Sequence, residues 1–134
     1  MYKLFIADDE AIIREGLRCL LDWETLGFTI AGEAANGDAA LQFLLSETPD
    51  LVLLDIRMPG MSGLDGVRIA RDHGYDGKVV ILSGYSDFNY ARTAIRYGVL
   101  SYLTKPIDED ELLEIVTQIR NQLDSDASAR DSSA

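Results

Sequence analysis

The chain is poor in the residues that build disulfides and soft-metal centres. Its 134 residues include one cysteine, Cys19, and one histidine, His73. A single cysteine cannot form an internal disulfide, and one cysteine with one histidine cannot make a Cys/His metal cluster. A lone histidine also disfavours a Ser-His-Asp triad.

Long apolar runs are missing as well. None approaches the roughly 18 residues that a membrane-spanning helix needs. Asp8, Asp9 and Glu10 interrupt the N-terminus after one short apolar stretch, which does not fit a signal peptide. We therefore expect a cytoplasmic protein without a membrane partner.

Basic residues are few relative to acidic ones. Lys and Arg number 12 and Asp and Glu number 23, so the formal net charge is −11. This balance argues against direct contact with nucleic acid and with anionic lipid. Hydrophobic residues still make up 47%, which suits one globular domain rather than a disordered chain. The acidity either serves solubility or reflects carboxylates gathered around a cation.

Short apolar runs alternate with helical periods along the chain. Residues 4–7, 51–54 and 79–82 are continuous apolar runs, typical of strands buried on both faces. Residues 28–32 and 100–103 are more mixed, which predicts edge strands. Five strands alternating with five helices predict an α/β fold with a parallel sheet and right-handed crossovers. We expect the flavodoxin-like doubly wound (βα)5 architecture with strand order 2-1-3-4-5.

The last predicted helix has the clearest apolar stripe, and Asp108 followed by Glu111 predicts a cap at its start. Residues 124–134 lack an apolar period and predict a polar tail or the start of an interdomain linker. The folded domain is therefore expected to span residues 1–123. The stripe comprises Leu112, Ile115, Val116, Ile119 and Leu123.

Polar residues stand where four of the predicted strands end. Asp8 and Asp9 follow the first strand, Asp55 ends the third, Ser83 the fourth, and Lys105 follows the fifth. Ligands of such sheets bind beyond these ends, near the switch point between strands 1 and 3. Three converging carboxylates need a proton or a cation, and oxygen ligands suit Mg²⁺. Together with a hydroxyl and an ammonium, they match the needs of phosphoryl transfer to a carboxylate.

Four stretches of the chain resemble the receiver domains of two-component response regulators. The resemblance covers residues 2 to about 123, and it implies that Asp55 accepts a phosphoryl group from a sensor histidine kinase. The matching stretches are IADDE (6–10), LLDIRMPGMSG (53–63), LSGY (82–85) and YLTKP (102–106).

The resemblance also implies roles for individual residues around Asp55. Asp8, Asp9 and the backbone carbonyl of Arg57 would join Asp55 in holding Mg²⁺. Lys105 and Ser83 would bind the phosphoryl group, Ser83 and Tyr102 would form the switch pair, and the Lys105–Pro106 bond would be cis. Arg57 and Tyr85 border the site, and we hypothesise that they tune phosphoaspartate hydrolysis.

Two further stretches, LDWETLGF (21–28) and SGYSDFNYA (83–91), are similar to receivers joined to AraC-type helix-turn-helix output domains. This likeness implies a phosphorylation-dependent switch that controls transcription. The signalling face would comprise helix 4, strand 5 and helix 5 of the five predicted helices, and the same face could form a homodimer. DNA would be contacted only through an output domain outside this chain. Such a domain catalyses its own phosphorylation and slow dephosphorylation without being a conventional enzyme.

Other interpretations stay open at this point. The chain could be a single-domain or phosphorylation-independent receiver that acts as a protein-interaction module. Tyr102 could be an ordinary half-buried aromatic, Lys105 a surface lysine, and Trp23 the anchor of a loop against the sheet edge. An aspartyl phosphatase of the haloacid-dehalogenase type is disfavoured, since Arg57 stands where that class has its second aspartate. Flavin binding is disfavoured because no phosphate-cradling loop follows strand 1.

Overall fold

The computed structural model describes residues 1–84 and 101–132, with side chains as far as Ser128. The strands are β1 (Tyr2–Ala7), β2 (Phe28–Ala34), β3 (Leu51–Asp55), β4 (Lys78–Ser83) and β5 (Ser101–Thr104). The helices are α1 (Ala11–Leu20), α2 (Trp23–Leu26), α3 (Gly37–Glu47), α4 (Gly63–Asp72) and α5 (Glu109–Ser132). The predicted helix between the fourth and fifth strands lies outside the described residues, as does Tyr85.

The five strands form one parallel sheet in the order β2-β1-β3-β4-β5. This confirms the predicted fold, with β2 and β5 as its edges. Ala7 lies opposite Leu54, and Ser83 lies opposite Thr104. The strands therefore end almost level, and the residues that follow β1, β3 and β5 leave the sheet close together.

The core consists of two apolar layers, one on each face of the sheet. Successive residues of a strand point to opposite faces, so Phe5 packs with α3 and α4 while Leu4 and Ile6 pack with α1, α2 and α5. Both faces of each central strand are buried, which explains the continuous apolar runs in the sequence. The sequence places Leu45 in one apolar helical period with Leu41 and Leu44, which predicts a core position, but Leu45 is exposed in the structure.

The stretch between α1 and β2 contains the short helix α2, where the sequence predicted a loop. Asp22 caps it by accepting a hydrogen bond from the Thr25 N–H at 3.3 Å. Trp23 is buried, packs edge-on against Phe28, and donates its indole N–H to the Leu17 carbonyl at 3.0 Å. The two aromatic side chains do secure this segment against the edge of the sheet.

The polar tail differs from the prediction, because α5 continues through Ser132 instead of ending near residue 123. No glycine or proline interrupts this stretch. Contacts with the start of two strands hold its extension: Tyr2 donates its hydroxyl to Asp124, and Lys78 forms a 3.3 Å ion pair with Asp126. The start of the helix is as expected, since Asp108 accepts the Glu111 N–H at 2.9 Å.

Helix length and apolar content bear on membrane insertion. α5 has 24 residues, but its surface is strongly acidic. Among the helices of the described ranges, none combines the length and the apolar character that crossing a membrane requires.

The loop after β3 folds back under the end of that strand. Gly60 adopts φ +75°, and the Gly63 N–H donates to the Ile56 carbonyl at 2.9 Å. A Cβ at Gly63 would meet the Asp55 carbonyl oxygen and lie 3.1 Å from Leu54 Cγ. The sequence therefore needs glycine here so that the loop can close beneath Asp55.

Gly63→Ala should lower the free energy of unfolding by about 1–3 kcal/mol, because the added methyl overpacks the backbone beneath Asp55. Urea unfolding of the purified domain measures this. Gly66→Ala, on the same helix, is the matched control: its Cβ would meet its nearest neighbour at 3.7 Å. That change should be neutral or stabilise the helix by up to about 1 kcal/mol. Equal losses in both variants would contradict the proposed close approach.

Candidate functional site

Three carboxylates meet at the carboxyl end of the sheet. Asp8 and Asp9 follow β1, and Asp55 is the last residue of β3. One oxygen from each lies within 4.8 Å of the others. Asp8 and Asp55 are buried, whereas Asp9 is exposed. The cluster therefore reaches solvent at Asp9, where a small ligand could enter.

Lys105 brings a positive charge to this cluster from beyond β5. Its Nζ lies 2.8 Å from Asp8 Oδ2 and 3.4 Å from Asp55 Oδ2. The Lys105 N–H donates to the Ser83 carbonyl at 2.8 Å, which ties the segment to β4. The peptide bond between Lys105 and Pro106 is cis.

Protonation of Asp55 is sensitive to this environment. Burial raises the pKa of Asp55 to about 6; the Lys105 charge opposes this rise, while the Asp8 charge adds to it. Burial alone would lower the pKa of Lys105, but its hydrogen bond to Asp8 and the nearby carboxylates outweigh burial and raise it. Lys105 is therefore a permanent cation near neutral pH, and Asp55 is the group whose charge can change.

Ser83 and Tyr102 form a hydrogen-bonded pair beside the carboxylates. The Ser83 hydroxyl is fully buried, and its Oγ lies 2.6 Å from the Tyr102 hydroxyl oxygen. Ser83 also donates to the Gly84 carbonyl at 3.0 Å. If its only proton serves that bond, Tyr102 is the donor in the pair. The two residues predicted to act as a switch are in direct contact.

Arg57 lies at the rim of the site. Its backbone N–H donates to Asp55 Oδ1 at 3.3 Å. The shallow groove beside Asp9 is lined by Arg57, Met58 and Pro59. Arg57 thus borders Asp55 as expected, while Tyr85, the other predicted rim residue, falls outside the described residues.

The donor set suits a hard divalent cation. Carboxylate oxygens are the ligands that Mg²⁺ prefers, and Mg²⁺ usually keeps several waters. Asp8, Asp9 and Asp55 supply three negative charges, and Lys105 supplies one positive charge. The excess negative charge and the open side at Asp9 fit a partly hydrated cation.

Sequence reasoning missed Arg14 and Glu33. Arg14 on α1 donates from Nη1 to the Asp8 carbonyl oxygen and from Nε to Glu33 Oε1 at 3.1 Å. Arg18, one turn further along, pairs with the other Glu33 oxygen at 3.3 Å. The four-residue spacing of the two arginines predicts a shared face, but nothing in the sequence indicates which backbone atom Arg14 would reach.

The comparisons with known proteins all indicate the same protein family. The model of the response regulator receiver domain family matches residues 4–117. Among curated proteins, the chain is 36% identical over 126 residues to the transcriptional regulatory protein YesN of Bacillus subtilis, covering 91% of this chain and 34% of YesN. It is 40% identical over 120 residues to the transcriptional regulatory protein HptR of Staphylococcus aureus, covering 89% of this chain and 46% of HptR. The chain thus spans less than half the length of these relatives.

Solved structures agree with the fold and the family. The receiver domain of AraT, a response regulator from Geobacillus stearothermophilus, superposes with a TM-score of 0.89 at 38% identity, covering 94% of this chain and 98% of that one. A two-component transcriptional regulator AraC from Clostridium phytofermentans gives a TM-score of 0.80 at 34% identity, with 89% and 92% covered.

The raised pKa of Asp55 predicts an unusual dependence of stability on pH. Between the ordinary value of 3.8 and about 6, the folded state holds a proton that the unfolded state has lost. The contribution of Asp55 to the free energy of unfolding of the metal-free protein should therefore fall as pH rises through this range, by about 1–2 kcal/mol. Asp55→Asn cannot lose a proton, so it should lack this fall.

Chemical denaturation in the presence of a chelator, repeated across that pH range, measures the difference between wild type and Asp55→Asn. Asp50→Asn is the matched control, because Asp50 precedes β3 at the opposite end of the strand and accepts the Lys3 N–H at 2.8 Å. A difference between wild type and Asp55→Asn that stays constant with pH would contradict the assignment.

Proposed function

The chain belongs to the response regulator receiver domain family, and from this premise we propose that it is a phosphorylation-dependent switch. Asp55 accepts a phosphoryl group, and a sensor histidine kinase donates it. The observation that carries the proposal is the contact of one ammonium, Lys105, with two buried carboxylates, Asp8 and Asp55, at 2.8 and 3.4 Å. This charge arrangement suits the transfer of an anionic group to Asp55.

Asp55 is the nucleophile in this proposal. A carboxylate oxygen of Asp55 attacks the phosphorus atom, and the bond between phosphorus and the donor breaks, which leaves an acyl phosphate. The nucleophile must be ionised, and its pKa of about 6 leaves it mostly ionised at neutral pH. The Lys105 ammonium lies close enough to both carboxylates to turn from Asp8 toward a phosphoryl oxygen.

Members of this family typically bind Mg²⁺, and the acidic cluster here suits that ion. When bound, Mg²⁺ would neutralise charge on the transferring phosphoryl group. We assign its binding to Asp8, Asp9, Asp55 and the backbone carbonyl of Arg57. Arg57 lies two residues after Asp55, in the loop that the Gly63 N–H closes by donating to the Ile56 carbonyl.

Ser83 and Tyr102 are the proposed route from chemistry to signal. A phosphoryl group on Asp55 adds negative oxygens, to which the Ser83 hydroxyl can donate. Ser83 would then give up its bond to the Gly84 carbonyl, and the 2.6 Å contact with Tyr102 would have to rearrange. Rotation of Tyr102 would change the surface of β5 and its neighbouring helices by shifting a population of two states.

The relatives support a proposal for the output of this receiver. YesN and HptR are transcriptional regulatory proteins, and we propose that this receiver controls transcription through an AraC-type DNA-binding domain. The net charge of −11 argues against DNA contact by the receiver itself. The proposed signalling face comprises the predicted helix between β4 and β5, strand β5 and helix α5. This face would carry the signal and could pair two copies of the chain. Of that face, the structure describes β5 and α5.

Incubation with Mg²⁺ and acetyl phosphate should add one phosphoryl group to the wild-type chain, and Asp55→Asn should remain unmodified. Intact-mass spectrometry measures both results. Asp50→Asn, at the other end of the same strand, should be modified like the wild type. An unmodified wild type would favour a phosphorylation-independent interaction module, and a stable adduct on Asp55→Asn would place the acceptor elsewhere.

Arg57→Ala should shorten the lifetime of the phosphoaspartate severalfold, because the side chain at the groove rim no longer hinders water. The substitution keeps the backbone carbonyl assigned to the cation. Tyr85→Ala tests the second proposed tuning position in the same way. Phosphate release after removal of the donor gives the lifetime, with Arg68→Ala on α4 as the control. Unchanged lifetimes in both variants would refute the tuning hypothesis.

A further inference from the structure

Asp9 is the least supported member of the acidic cluster. Its side chain is exposed, whereas Asp8 is held at three other points. Asp8 donates its N–H to the Ala34 carbonyl at 3.0 Å, accepts the Glu10 N–H at 2.9 Å, and binds Lys105 at 2.8 Å. The direction of the Asp9 side chain therefore depends mainly on its own backbone.

Arg14 fixes the peptide group that leads into Asp9. The Arg14 guanidinium donates to the carbonyl oxygen of Asp8. That carbonyl and the N–H of Asp9 belong to one planar peptide group. Holding the oxygen therefore fixes the orientation of the Asp9 N–H and the position of its Cα.

Glu33 holds Arg14 in place from the opposite side. Arg14 Nε lies 3.1 Å from Glu33 Oε1, and Glu33 lies opposite Ile6 in the register of β1 and β2. The Arg14 and Glu33 side chains have exposed fractions of 19% and 26%, although Glu33 as a whole residue lies exposed on the edge strand β2. The planar guanidinium donates to the Glu33 carboxylate from Nε and to the Asp8 carbonyl from Nη1 in one rigid geometry, whereas an ammonium is a point charge on a flexible stem.

We propose that Arg14 is a positioning residue for the cation site, acting through the Asp8 carbonyl to aim Asp9, with Glu33 as its anchor. The inference rests on the proposed binding of Mg²⁺ at the acidic cluster. Groups that orient metal ligands in this way typically change metal affinity by about 10- to 100-fold when removed.

Arg14 could instead act only through its charge, and that role predicts the opposite change in Mg²⁺ affinity when Arg14 is replaced. A positive charge beside the cluster repels a cation, so removing it should strengthen Mg²⁺ binding. Loss of positioning should instead weaken binding. Arg14→Met, which removes both the charge and the hydrogen bonds, therefore separates the two roles by the direction of its effect.

Isothermal titration of the metal-free protein with Mg²⁺ is the test, since it reads affinity without requiring phosphorylation. Arg14→Met should weaken the affinity about tenfold or more. The Mg²⁺ affinity of Arg14→Lys should lie between those of Arg14→Met and the wild type. A lysine can reach the Asp8 carbonyl, but it cannot bridge to Glu33 in the same plane. Arg18→Met is the matched control: Arg18 pairs with the same carboxylate at 3.3 Å and should bind Mg²⁺ like the wild type.

Binding by Arg14→Met as tight as that of Arg18→Met, or tighter, would overturn the positioning role while leaving the proposed function intact. If Arg14→Met does not fold in parallel denaturation experiments, the Lys variant is judged by the same criterion. A wild-type chain that binds no Mg²⁺ would instead overturn the proposed function and this inference with it.

Discussion

The ion pairs of Lys105 with Asp8 and Asp55 are the constraint on which the site depends. Two buried carboxylates beside a third repel one another, and their desolvation is unfavourable without a compensating charge. Lys105 supplies that charge from the far edge of the sheet, across β4, at 2.8 and 3.4 Å. The compensation is incomplete, because one ammonium faces three carboxylates. The residual negative charge is what makes the cluster receptive to a cation.

The sheet makes this contact possible. Asp8 and Lys105 are 97 residues apart in the chain, and they meet because parallel strands bring all their carboxyl ends to one edge. The order β2-β1-β3-β4-β5 places β3 between β1 and β4, so Asp55 lies centrally. Two apolar layers bury the strands on both faces and fix their register, since a slip of one residue would exchange the two faces. The charge geometry is thus set by apolar packing some distance away.

The sequence predicts the sheet well because burial on both faces leaves a strong signal. Continuous runs such as 51–54 identify the central strands, and mixed runs identify the edges. The convergence of Asp8, Asp55 and Lys105 follows from strand ends alone. Contacts that leave no pattern were not predictable: the bond from Arg14 to a backbone carbonyl, the partners that hold the extension of α5, and the exposure of Leu45. Each depends on where two distant segments pack, and a local periodicity does not carry that information.

The residues of the site differ in whether they are held in place or can change their charge or hydrogen bonds. Asp8 is immobilised by bonds to backbone groups and to Lys105, whereas Asp55 has a pKa of about 6 and can change its charge. Ser83 is fully buried, like Asp8, but its hydroxyl has two hydrogen-bond partners, Gly84 and Tyr102, between which its bonding can change. A buried hydroxyl can exchange one acceptor for another without leaving its proton unpaired, so its reorientation carries little desolvation penalty. In the proposed switch, a change of charge at Asp55 would reach Tyr102 through one hydrogen-bond exchange at Ser83.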